Sequence, residues 1–130
     1  FRYSLTTHEG DWKTGKPRDF GWAVCNPFIP VVLDGKRDGK FPKSMSFCQL
    51  DKSNVLITAL KSAEDKEGFI IRLTETEGIE TDLTLTLPFV NISKVYQTNL
   101  VEHNEKQISF NNQKINVSIK PFGIVTIRVQ

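Results

Sequence analysis

The chain has 130 residues, of which 38% are hydrophobic and 25% charged, values that fit one globular domain and exclude disordered and collagen-like chains. Seventeen basic and fifteen acidic residues give a formal net charge of +2, which does not favour nucleic acid as a partner. No stretch approaches the roughly 18 consecutive apolar residues of a membrane-spanning helix, so we expect no membrane insertion.

Residues 1–44 have an irregular pattern. Residues 1–6 alternate apolar and polar side chains like the interior of a strand, without a methionine before them, which indicates a fragment of a larger protein. Pro17, Pro27, Pro30 and Pro42 then interrupt the chain. This segment is predicted to form long loops with one or two short strands and no helix.

After residue 44 the pattern becomes regular, because short runs of alternating apolar side chains are separated by turn residues. The predicted strands are residues 44–50, 54–61, 69–76, 82–87, 89–98, 107–110, 114–120 and 122–129. Residues 62–68 and the pair Asn111-Asn112 are predicted to form the turns of two hairpins. We therefore expect an all-β domain covering residues 1–130: an antiparallel β-sandwich of about nine short strands with long N-terminal loops, or else a barrel.

Cysteine and histidine spacing predicts no metal site. Cys25 and Cys48 are far apart in the sequence, as are His8 and His103, so there is no paired-ligand motif for zinc. The two cysteines are interpreted as buried free thiols, with a structural disulfide as the alternative. Two short glycosylation patterns, at Asn91 and Asn116, leave the cellular compartment open.

The segment of residues 8–12 is the most distinctive local group. His8, Glu9 and Trp12 are candidate sugar-binding residues, because an indole stacks on a pyranose face and a carboxylate accepts hydrogen bonds from hydroxyl groups. The alternative is a plain turn in which Asp11 or Glu9 binds backbone N–H groups. Arg72 is a weaker candidate, and we expect it to form an ion pair with Glu75 or a neighbour.

Several strings of residues, taken in order, resemble the C-terminal β-domain of the α-mannosidases of glycoside hydrolase family 38. The strings are Phe1-Arg2-Tyr3-Ser4-Leu5, His8-Glu9-Gly10-Asp11-Trp12, Ala23 to Pro27, Ser46-Phe47, Leu56 to Lys61 with Ala63-Glu64-Asp65, Arg72 to Gly78, Asn99 to Glu102 and Pro121 to Ile127. Two loops, residues 13–20 and 34–43, match no part of that pattern, and Thr74 stands where an aromatic residue is common.

The resemblance implies a parent enzyme that hydrolyses α-mannosidic bonds of mannose-containing glycans with retention. An aspartate nucleophile and a zinc ion would belong to its N-terminal catalytic domain, whose motifs are not in this sequence. The chain is then expected to be an inactive accessory domain that binds no zinc, packs on the catalytic domain of the same chain and lends a loop to the cleft.

A second hypothesis comes from a different class, a free-standing carbohydrate-binding or adhesive β-sandwich. Its mark would be two or three exposed coplanar aromatic rings on one face or groove.

Overall fold

A computed structural model describes residues 1–35 and 38–130. Lys36 and Arg37, which belong to the unmatched loop of residues 34–43, lie outside the described residues. The chain divides into two compact units, Phe1–Lys40 and Phe41–Gln130. We retain residues 1–130 as one predicted domain and describe the two units separately.

The N-terminal unit contains a short helix, α1 (Pro17–Cys25), that the sequence pattern did not predict. Pro17 fits the first helical position because its missing N–H would have no partner there. The helix ends at Cys25, and the backbone N–H of the capping residue Asn26 donates to the carbonyl of Trp22. None of the helical residues is buried, and the helix spans only nine residues, too few for a helical repeat to be clear in the sequence. No strand forms among the described residues up to Lys40, and the strands expected there are wrong.

The C-terminal unit contains the nine strands described. They are β1 (Gln49–Leu50), β2 (Val55–Ser62), β3 (Phe69–Glu75), β4 (Thr81–Thr86), β5 (Val95–Thr98), β6 (Asn104–Gln107), β7 (Phe110–Asn111), β8 (Lys114–Ile119) and β9 (Ile124–Val129). All paired strands are antiparallel. One sheet has the order β1-β4-β8-β7 and the other β2-β3-β9-β5-β6. The predicted antiparallel sandwich is confirmed.

Alternating side chains build the core between the two sheets. In β4 the buried residues are Thr81, Leu83 and Leu85, and β8 repeats this pattern. Because successive side chains of a strand point to opposite faces, each strand contributes every second residue to the core. The buried apolar cluster consists of Val55, Ile71, Leu73, Leu83, Leu85, Leu87, Val95, Ile115, Val117, Ile119, Ile127 and Val129.

The turns hold the sheets in register, and the structure contains both predicted hairpins. Residues 63–68 join β2 to β3, with the Ala63 N–H donating to the Gly68 carbonyl at 3.1 Å. Asn112 has a positive φ of 54° in the reversal between β7 and β8, a conformation that asparagine tolerates better than most residues.

Some strand boundaries differ from the prediction. Residues 44–48 and 89–94 are not in strands. In the second range Val90 donates to the Leu87 carbonyl in a turn, and Ser93 and Lys94 both donate to the carbonyl of Gln130, just after β9. Strand β6 was missed because its four residues are polar and exposed, so they show no alternation.

Candidate functional site

The three predicted sugar-binding residues lie together in an exposed segment of the N-terminal unit. His8 and Glu9 are exposed, and the indole of Trp12 is half exposed, with Lys13 Nζ 5.3 Å from its ring centroid. His8 Nδ1 lies 3.3 Å from the Glu9 carbonyl oxygen. The His8 ring also packs over Gly15, where any added Cβ would meet it at 2.1 Å. An accessible indole and carboxylate are therefore available to a ligand.

Asp11 organises this segment as a turn. Its Oδ1 accepts hydrogen bonds from the backbone N–H of Thr14 at 2.8 Å and of Lys13 at 3.0 Å. It also accepts one from the Thr14 hydroxyl at 2.9 Å. The backbone and side-chain hydrogen bonds from Thr14 lower the pKa of Asp11. Asp11 thus has the turn role considered in the sequence analysis, and it leaves Trp12 and Glu9 unconstrained by its carboxylate.

Arg72 binds backbone and hydroxyl oxygens. Its Nε donates to Thr126 Oγ1 at 3.2 Å, and one terminal nitrogen donates to the Leu100 carbonyl at 3.1 Å. No carboxylate of the described residues pairs with it, so the expected ion pair with Glu75 or a neighbour is wrong. Arg72 faces the outer side of β3, whereas Glu75 lies on the inner side.

Glu75 is a buried carboxylate at the end of β3 that accepts five hydrogen bonds. The donors are the backbone N–H groups of Glu77 (2.7 Å), Gly78 (2.8 Å), Ile79 (3.2 Å) and Phe122 (2.8 Å) and the side-chain amide of Asn54 (2.9 Å). These donors come from the turn after β3, the turn before β9 and the residue before β2. One side chain therefore fixes three chain segments at one end of the sandwich.

The pKa of Glu75 is set by two opposing effects. Burial raises it, because the charged form loses its water. The hydrogen bonds from Phe122, Glu77, Asn54 and Gly78 stabilise the charged form more strongly and lower the pKa to about 2. A carboxylate with this pKa holds no proton near neutral pH, so Glu75 cannot be a general acid there.

A second polar cluster lies on the outer face of the five-stranded sheet. Lys61 Nζ is 2.7 Å from Glu102 Oε1 and also contacts Glu64. Glu102 Oε2 accepts the backbone N–H of Glu64 at 2.9 Å, and Arg128 pairs with Asp65 at 2.5 Å. Hydrogen bonds from Lys61 and Glu64 lower the pKa of Glu102, and the hydrogen bond from Arg128 lowers that of Asp65.

A third feature, the phenylalanine groove, is apolar. It is defined by the rings of Phe41, Phe47 and Phe89 and by an adjoining depression of about 370 Å³. The depression is lined by Phe47, Cys48, Leu60, Lys61, Ser62, Phe69, Leu87 and Val90. The ring centroids are 5.4–6.2 Å apart and the interplanar angles are 62–77°, which is an edge-to-face arrangement.

Metal ligands and membrane-spanning helices were also sought in the part of the chain that the structure describes. Residues 1–35 and 38–130 contain no group of three or more His, Cys, Asp or Glu side chains placed to hold a metal ion. Within the same ranges, no helix has the length and apolarity needed to cross a membrane. Cys25 and Cys48 are both free, as interpreted, but Cys25 is exposed rather than buried. Cys48 is partly buried, and this burial raises the pKa of its thiol.

Comparison with known families identifies the sandwich. Residues 54–127 match the family described as the glycosyl hydrolases family 38 C-terminal beta sandwich domain, and this match covers most of the nine strands. The chain belongs to this family. The resemblance found in the sequence analysis is thereby confirmed.

The family 38 domain also matches a curated protein called alpha-mannosidase G, from Dictyostelium discoideum. The two sequences are 25% identical over 133 residues, which cover 98% of this chain and 12% of that protein. The chain thus spans about an eighth of the length of the curated relative it matches. No solved structure matches the chain.

The sequence analysis did not predict that Glu75 would bind the turns at one end of the sandwich or that Glu102 would pair with Lys61. A signal for Glu75 was present, because it continues the inward alternation of Ile71 and Leu73 and is followed by Gly78. An acid at an inward position requires several donors to satisfy it. Glu102 has no such signal, since it lies in a loop whose positive φ of 66° and contact with Lys61 arise only in the fold.

Proposed function

We propose that this chain is the C-terminal accessory domain of an α-mannosidase that hydrolyses α-mannosidic bonds of mannose-containing glycans with retention. The observation that carries the proposal is a pair of matches. Residues 54–127 match the family 38 C-terminal domain. The alignment with alpha-mannosidase G covers 98% of this chain but only 12% of that enzyme. The domain packs on the catalytic domain of the same chain and supplies no catalytic group.

The carboxylates of the sandwich support this division of labour. Retaining hydrolysis uses two carboxyl groups about 5–5.5 Å apart on either side of the glycosidic bond, one of them protonated to act as acid. Glu75, Glu102 and Asp65 do not suit the role of the acid, since their hydrogen bonds or ion pairs lower their pKa values. They stabilise turns, and the acid and nucleophile belong to the catalytic domain.

We also assign the zinc ion to the catalytic domain, because of the ligands that this chain offers. The described residues of this chain offer no cluster of three ligands, so they do not fit a zinc ion. No step of the reaction is attributed to zinc through residues of this chain.

The arrangement of the exposed aromatic rings disfavours a free-standing carbohydrate-binding module. Such modules stack sugar on coplanar rings, whereas the rings of Phe41, Phe47 and Phe89 meet edge to face. They form no common flat platform.

The proposal is tested with the full-length parent protein and an aryl α-mannoside, assayed with and without a chelator. We expect chelator-sensitive hydrolysis by the full-length protein and none by residues 1–130 alone, because the proposal assigns the acid and the nucleophile to the catalytic domain. A full-length protein that leaves the mannoside intact, or an active fragment, would contradict the proposal.

The N-terminal segment is proposed to lend His8, Glu9 and Trp12 to the sugar cleft of the parent. Replacing Trp12 by alanine should raise KM for the mannoside several-fold, since stacking on the sugar is lost. The matched control is Trp22→Ala in α1, also a partly exposed indole, which should leave KM unchanged. Equal KM values for the two variants would show that Trp12 does not contact the sugar in the cleft.

A further inference from the structure

The phenylalanine groove exposes an unusual concentration of apolar surface on the sandwich. Phe41, Phe47 and Phe89 are 63%, 56% and 52% exposed, and Leu60 beside them is 57% exposed. Single exposed apolar side chains are ordinary on protein surfaces, but contiguous groups of them mark interaction sites. The phenylalanine groove is such a group, because its three rings contact one another.

Its position in the fold suits docking. Strands β1 and β2 are edge strands of the two sheets, and Phe47 and Cys48 lead directly into β1 while Leu60 lies on β2. An edge strand presents unpaired backbone groups that a partner can use. The phenylalanine groove therefore combines apolar side chains with a sheet edge, at the end of the sandwich where β2 and β4 finish.

The charge at the rim of the groove does not oppose contact with an apolar partner. Lys61 is the charged residue lining the depression, and its ammonium group is paired with Glu102 and Glu64. The aliphatic part of the Lys61 side chain is then free to form part of the wall of the groove. A docking partner thus has no unpaired lysine charge to bury here.

We propose that the phenylalanine groove is the surface on which this domain docks against the part of its parent chain that lies outside these 130 residues, an inference that rests on the proposed function. The curated relative provides the scale, since the matched region is 12% of its length. The occupant is an apolar segment of that remainder.

The size of the groove favours this occupant over a second copy of the chain. A stable interface between separate molecules uses about 20–30 residues on each side. The phenylalanine groove is smaller, since it consists of the eight residues that line the depression together with Phe41 and Phe89. A partner in the same chain has a high effective concentration, so a small apolar surface is sufficient.

The first test is hydroxyl-radical footprinting of the full-length parent protein. Phe41, Phe47 and Phe89 should be modified several-fold more slowly than Phe122, which is 66% exposed at the opposite end of the sandwich. Equal modification of all four rings would overturn the proposal. Protection that disappears on dilution, together with a dimer by light scattering, would assign the groove to a second copy and also overturn it.

The second test compares two matched variants of the full-length protein, Leu60→Asp in the groove and Leu100→Asp in the loop after β5. The two leucines are similarly exposed, at 57% and 61%, so neither change should unfold the sandwich. We expect L60D to lower the unfolding temperature of the parent and to speed its proteolysis, and L100D to change neither. Identical behaviour of the two variants would contradict the docking role.

The mannosidase assay on the same preparations separates this inference from the proposed function. An active mannosidase with a fully reactive phenylalanine groove overturns the docking surface alone. A parent with a protected groove but no activity on α-mannosides overturns the proposed function and supports the docking surface.

Discussion

Glu75 is the residue on which one end of the sandwich most depends. Its carboxylate accepts hydrogen bonds from the turn after β3 and from Phe122, 47 residues further along the chain. The nearby Gly78 has a positive φ of 72°, and an added Cβ there would meet the Phe122 ring at 2.6 Å. The Arg72-to-Gly78 element thus has a structural explanation: the acid binds the turn, and the glycine leaves room for the ring.

The lowered pKa of Glu75 predicts an acid-sensitive contribution to stability. With an ordinary value of 4.5 in the unfolded chain and about 2 in the fold, this contribution is complete above about pH 4.5 and is lost as the pH falls toward 2. It amounts to about 3 kcal/mol. Glu75→Gln should therefore be less stable than the natural chain at neutral pH, and the gap should close in acid.

Urea unfolding of the chain at a series of pH values measures this gap. Glu80→Gln is the matched control, because Glu80 is exposed and should change the unfolding free energy little at any pH. A gap between E75Q and the natural chain that stays constant across the acid range would show that the charge of Glu75 is not the stabilising feature.

The hairpin of β2 and β3 illustrates how single elements depend on their turns. Gly68 has a φ of +84°, and a Cβ added to it would lie 2.1 Å from the Val129 carbonyl oxygen of β9. Both the backbone conformation and the neighbouring strand therefore require glycine. Strand β3 pairs with β2 and β9, so this turn lies beside the centre of the five-stranded sheet.

Gly68→Ala is expected to destabilise the chain by about 2 kcal/mol or more, because the backbone must move away from β9. Gly39→Ala is the control, as no atom of the residues that the structure describes lies within 4 Å of the Cβ position and its φ is not positive. It should alter the unfolding free energy by less than about 0.5 kcal/mol. Thermal or urea unfolding that finds equal effects would show that the turn can rearrange at little cost.

For the whole molecule, the core between the two sheets is the main source of stability. Its side chains come from both sheets, and Leu85 of β4 is fully buried among them. Burial of apolar surface is the dominant favourable contribution to folding. The outer clusters and turns then position the sheets that this core holds together.

Leu85→Ala should reduce the unfolding free energy by about 2–5 kcal/mol, since it removes buried methyl groups and leaves a cavity. Leu100→Ala makes the same chemical change at a largely exposed side chain and should cost little. Urea unfolding of both variants gives the comparison. A Leu85→Ala cost as small as that of Leu100→Ala would show that the core does not pack as described.

The sequence by itself determined the sandwich and its family. Alternation in residues 82–87 and 114–120 predicted β4 and β8 because the two faces of a strand are a local property of the backbone. Turn residues identified the two hairpins for the same reason. His8, Glu9 and Trp12 were recognised as a local group, and their role in sugar binding remains a prediction.

Only the tertiary structure decided which distant residues meet. The contact of Glu75 with Phe122, the pairing of Lys61 with Glu102 and the meeting of Phe41 with Phe89 all join segments far apart in the sequence. Helix α1 and strand β6 escaped prediction because neither buries the alternating or helical stripe that sequence patterns reveal. Local periodicity specifies elements, whereas contacts between elements depend on strand order and register.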